Sequence, residues 1–86
     1  MKKQTAKEET IEALTGRQLQ NMGKRMQELR KKKGFKNYEI FAYENDLPRA
    51  QYGRYERGQD LKMSSLLKVL KGFDISLKEF FGEGFE

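Results

Sequence analysis

Eighty-six residues with a formal net charge of +5 leave room for one small domain with a modest core, and not for two. The chain has no cysteine and no histidine, which excludes thiol-redox sites, zinc fingers and histidine-dependent catalysis. Met1-Lys2-Lys3 is not followed by an apolar targeting segment, and no later run reaches the roughly 20 apolar residues of a membrane span, so a soluble cytoplasmic protein is expected.

Residues 1–18 read as a polar N-terminal arm, partly ordered at most, in which Ile11 and Leu14 are the large apolar residues after Met1. Thr15 and Gln18 have capping-box spacing, and Leu19, Met22, Met26 and Leu29 recur at helical spacing. A first helix over about 17–33 is therefore predicted. Lys31, Lys32 and Lys33 complement the negative end of its dipole, and Gly34 stops it. Phe35 is expected to plug the following loop. Asn37 is the candidate N-cap of a second helix running to about Asn45, with Ile40 and Phe41 inward.

Asn45 and Asp46 supply a tight turn because both residue types tolerate the left-handed conformation. Pro48 opens a third helix that ends at Gly58, where a missing N–H is harmless at the first turn. Leu47, Tyr52 and Tyr55 fall on its inner face, while Arg49, Gln51, Arg54 and Arg57 fall on the outer one. Gly53 in its middle costs up to about 1 kcal/mol against alanine. It marks either a tolerated packing position or a close approach by DNA or another helix. A fourth helix over 63–72 has Met63, Leu66, Leu67 and Leu70 as its apolar set, and Asp74 sits at the next turn. Ser76 and Glu79 form a capping box for a short fifth helix containing Leu77, Phe80 and Phe81, and 82–86 reads as a frayed tail. With no strand alternation, repeat or linker, the fold class is all-α, a compact domain of about five helices.

Charge is placed unevenly along this frame. Lys24, Arg25, Arg30, Lys31, Lys32, Lys33 and Lys36 form one basic block countered within it only by Glu28, whereas Glu8, Glu9, Glu12, Glu79, Glu83 and Glu86 collect at the two ends. A molecule with one nucleic-acid-facing side requires such an asymmetry.

Residues 22–30, the Glu56-Arg57-Gly58 triplet, residues 66–71 and residues 75–81 together resemble the phage-repressor/Cro-type helix-turn-helix family, also called the xenobiotic-response-element family of regulators. The resemblance covers about residues 19–81, leaving residues 1–18 as the arm and 82–86 as the tail. It implies a lambda-repressor-like fold with Ala42 at the helix crossing and Phe41, Leu47, Tyr52 and Tyr55 buried. It implies base contacts by Arg49, Ala50, Gln51 and Arg54, and phosphate contacts by Asn37, Tyr38, Arg57 and Lys62. It further implies a mostly buried ion pair between Arg30 and Glu56. The chain departs from the family pattern where Asp46 and Asp74 replace turn glycines, and where Asn45 takes a usually apolar position. A loop over 34–42 that is one residue longer, and Tyr52 and Tyr55 in place of aliphatic residues, are further departures. The two tyrosine hydroxyls must then reach water, a side chain or a phosphate.

The expected function is that of a sequence-specific double-stranded DNA-binding transcriptional regulator, repressor-like and of prokaryotic or phage type, acting in the cytoplasm at the nucleoid. A homodimer on palindromic half-sites is the expected assembly, with Phe80, Phe81 and Phe85 offering a surface in which Phe80 is expected to belong to the core and Phe85 to be exposed. The arm offers contact to a protein partner. The rival reading is a protein-interaction module, antitoxin or accessory factor that keeps the fold without specific DNA binding. No enzyme, cofactor or metal site is expected, because no helical spacing sets up an acid–base pair.

Overall fold

The computed structural model describes residues 8–85. It contains α1 (Ile11–Lys32), α2 (Tyr38–Glu44), α3 (Arg49–Glu56), α4 (Met63–Phe73) and α5 (Leu77–Phe81), with no strand among the described residues. The all-α, five-helix expectation is met.

Helix α1 begins at Ile11 rather than at about residue 17. Thr10, in extended conformation, caps it by accepting the Ala13 N–H at 3.1 Å, and Glu12 sits in its first turn. Arg17 reaches back to Glu9 with both Nε and Nη2, at 3.1 and 2.6 Å. Thr15 thus lies inside the helix and caps nothing, and Gly16 is absorbed at a propensity cost of about 1 kcal/mol. Residues 11–18 are therefore helical rather than part of an arm; residues 1–7 lie outside the described residues. Ile11 is 74% exposed, so the first turn of α1 stands clear of the core.

Phe41 organises that core. Its ring stacks on Phe73 at 4.6 Å, tilts against Tyr52 at 5.2 Å and meets the edge of Phe35 at 5.4 Å. Met26 from α1, Ala42 from α2, Val69 from α4 and Phe80 from α5 complete it from the remaining helices, each fully buried. Three expected inward positions, Ile40, Met63 and Leu67, are corrected. Ile40 is 53% exposed, because the short α2 turns Phe41 and Ala42 inward and Ile40 outward. In α4 the buried stripe is Leu66, Val69, Leu70 and Phe73, at i, i+3, i+4 and i+7, whereas Met63 and Leu67 are exposed. Extending the helix to Phe73 rotates the core-facing stripe toward the ring that stacks on Phe41.

The turns follow the expected chemistry. Asp46 and Asp74 both adopt left-handed backbone, with φ of 55° and 58°. The α2–α3 turn is closed by the Leu47 N–H donating to the Ala42 carbonyl at 2.8 Å. Asn45 is half-buried, and its side-chain amide donates to the Phe41 carbonyl at 2.8 Å, so this polar residue is satisfied by the backbone of α2. Ser76 and Glu79 make both halves of the capping box at 3.1 Å. Beyond α5 the tail is not frayed at Phe85, which is half-buried with its ring 4.8 Å from Phe81 and 5.9 Å from Phe80.

Candidate nucleic-acid interface

Helix α3 is two-faced. Tyr52, Gly53, Tyr55 and Glu56 are buried, while Arg49, Ala50, Gln51 and Arg54 are all exposed. The residues expected to face bases thus stand together on one short helix whose other side is fixed to the core. Arg57 and Lys62 are also exposed, at the C-cap of α3 and the N-cap of α4, so they bracket the loop that follows.

The far side of α3 is held by α1. Arg30 Nε and Nη2 bind the two carboxylate oxygens of Glu56 at 2.8 and 3.0 Å, and Nη1 donates to the Phe35 carbonyl at 2.9 Å. Both side chains are buried, at 7% and 5% exposure, so the expected ion pair is present and bidentate. Its hydrogen bonds to Glu56 raise the Arg30 pKa further above the ordinary arginine value. Gln27 and Gln20 donate to the Glu56 and Arg57 carbonyls at 3.1 and 3.2 Å, satisfying acceptors that the end of α3 leaves without helical partners. Between the two glutamines, Gly23 lies directly under the Glu56 carbonyl, with the Tyr55 carbonyl 3.1 Å from where a Cβ would stand. Neither glutamine nor Gly23 was singled out from the sequence. Their spacing with Arg30, at 20, 23, 27 and 30, places them on one helical stripe, which is the signal that identifies them.

Helix α2 supplies the flank. Asn37 caps it by accepting the Glu39 N–H at 2.6 Å, so that side-chain oxygen is committed and the amide nitrogen is left for an outside acceptor. Tyr38 is half-buried, and its ring lies where a Cβ on Gly53 would stand, with Cε2 at 2.5 Å. Gly53 is therefore a seat for the Tyr38 ring. This contact brings the first turn of α2 against the middle of α3.

Two expectations about polar groups are corrected. The Tyr52 hydroxyl is buried against Arg30 and Glu56, yet forms no hydrogen bond of good geometry with either. Burial pushes its pKa well above the ordinary tyrosine value. Arg25, placed by sequence in the basic block, instead ties α1 to the end of α5. Its Nε donates to the Phe80 carbonyl at 3.0 Å and its Nη2 to the Glu79 carbonyl at 2.9 Å, with Glu83 at 3.4 Å. Lys24, Lys31, Lys32, Lys33 and Lys36 remain exposed.

Among the described residues no cluster of acidic side chains is arranged to hold a metal ion, and no helix is long and apolar enough to cross a membrane. No known protein family, curated protein or solved structure matches the chain.

Proposed function

We propose that the protein is a sequence-specific duplex-DNA-binding transcriptional regulator of the helix-turn-helix type, repressor-like, working in the cytoplasm at the nucleoid, with α3 lying in the major groove. The observation that carries this reading is the joint exposure of Arg49, Ala50, Gln51 and Arg54 on a helix whose opposite face is locked by the Arg30–Glu56 pair. Arginine matches guanine O6 and N7 with a bidentate fork, glutamine matches adenine, and the Ala50 methyl suits a thymine methyl. Asn37, Tyr38, Arg57 and Lys62, at the ends of the flanking elements, supply phosphate contacts that fix register without reading sequence. The exposed lysines after Arg30 add affinity that declines with salt.

One such helix covers a short site, and pairing of two copies on palindromic half-sites extends it. Leu77 and Phe81, 39% and 40% exposed on α5, supply the apolar surface for that pairing, whereas Phe80 is core and Phe85 is half-covered. The same surface, with Met63 and Leu67, favours a protein-interaction module as the second reading.

Binding of a duplex selected from a random library, measured beside single-base-pair variants of it, tests the assignment. Arg54→Ala is expected to lose about 1–3 kcal/mol of discrimination at one base pair. Lys62→Ala is expected to weaken binding to every duplex alike and to reduce the salt slope by about 1. Intact specificity in Arg54→Ala contradicts the docking of α3.

A further inference from the structure

Tyr43 is the most exposed aromatic residue of the chain's helices, at 66%, and contributes nothing to the core that Phe41 and Ala42 build from the same short helix. Its ring does have a neighbour. The Arg49 guanidinium carbon lies 6.0 Å from the ring centroid, at the outer edge of the range in which a cation is drawn to an aromatic face. Among the described residues no carboxylate bonds to Arg49.

The two residues are brought together by a turn with little freedom. The Leu47 N–H closes on the Ala42 carbonyl at 2.8 Å, the Asp46 N–H donates to the Tyr43 carbonyl at 3.3 Å, and Asp46 is left-handed with φ of 55°. Pro48 fixes φ at −60° immediately before Arg49. Arg49 is the first residue of α3, the end of a groove-docked helix that reaches base edges.

We infer that Tyr43 is a positioning residue for Arg49: its ring preorients the guanidinium fork and thereby sharpens guanine discrimination at one base pair. The inference rests on the DNA-binding reading above. A free arginine side chain samples many rotamers and loses that freedom when it docks. A ring that already holds the fork reduces this loss for the one base whose acceptors match the fork's plane. Tyr43 itself need touch no base. A phenylalanine at this position keeps the face and the effect, whereas an alanine removes both.

The test uses the full chain and a duplex that the wild-type protein selects from a random library, with variants of that duplex at each guanine. Tyr43→Ala is expected to lower discrimination about two- to fivefold, at the same base pair that Arg49→Ala relaxes, with an unchanged salt slope. Tyr43→Phe is expected to restore it, and Tyr43→Ala combined with Arg49→Ala to do no more than Arg49→Ala alone. Equal weakening on every duplex makes Tyr43 a backbone contact and overturns the inference. So does full discrimination in Tyr43→Ala, while the DNA-binding reading stands in both cases. A wild-type protein that selects no duplex overturns that reading and this inference with it.

Discussion

Arg30 donates all three of its hydrogen bonds from a residue only 6% exposed, two to Glu56 and one to the Phe35 carbonyl. Removing it strands a buried carboxylate, so Arg30→Met is expected to cost about 3–5 kcal/mol. Arg30→Met combined with Glu56→Leu is expected to recover most of that loss, because an apolar pair of similar volume carries no desolvation penalty. Denaturant midpoints of the two single variants and the double variant check this. Tyr52 raises the opposite case. Its hydroxyl is buried against Glu56 and Arg30 without a hydrogen bond of good geometry, so Tyr52→Phe is expected to leave stability unchanged or raise it by up to about 1 kcal/mol in the same assay. Burial raises the Tyr52 pKa in the folded state above the unfolded value of about 10. Stability is therefore independent of this group's ionisation below about pH 10 and falls as pH rises beyond it, where only the unfolded chain ionises. Tyr52→Phe is expected to remove that part of the alkaline loss. The Arg30–Glu56 pair was legible in the sequence through the resemblance. The fate of the Tyr52 hydroxyl was not, since it depends on how the ring packs against that pair in three dimensions.

At the level of elements, two glycines of α1 separate packing from propensity. A Cβ on Gly23 would overlap the Glu56 carbonyl, which is backbone and cannot swing aside, whereas a Cβ on Gly16 meets nothing within 4 Å. Gly16→Ala is expected to stabilise by about 0.5–1 kcal/mol through helix propensity alone. Gly23→Ala is expected to destabilise by about 1–3 kcal/mol despite the same propensity gain. Thermal unfolding of both variants gives the two signs directly. Helix number, the caps at Asn37 and Ser76, and the left-handed aspartates could be read from residue chemistry, because caps and turns are local. The start of α1 could not, since Gly16 is a breaker by propensity and Thr10 outcompetes Thr15 as the cap. The buried face of α4 does not follow from its leucines, because the stripe ends in Phe73, whose inward place is set by stacking on Phe41. Likewise the ambiguity at Gly53 resolves only when the Tyr38 ring is seen to lie against it.

The described residues measure 45 × 21 × 21 Å, and α1, with 22 residues, spans about 33 Å. The candidate face was the most legible part of the sequence, because Arg49, Gln51 and Arg54 alternate with the buried residues Tyr52 and Tyr55 at helical spacing. The basic block was less so, since linear charge density does not reveal that Arg25 and Arg30 turn inward. Backbone amide shifts recorded while the wild-type protein is titrated with a selected duplex, at low and at moderate salt, address the central proposal most directly. The account expects the changes to gather on α3 from Arg49 to Arg54 and on Asn37, Tyr38, Arg57 and Lys62, with affinity falling as salt rises. Absence of salt-sensitive binding, or changes confined to Met63, Leu67, Leu77 and Phe81, would contradict it.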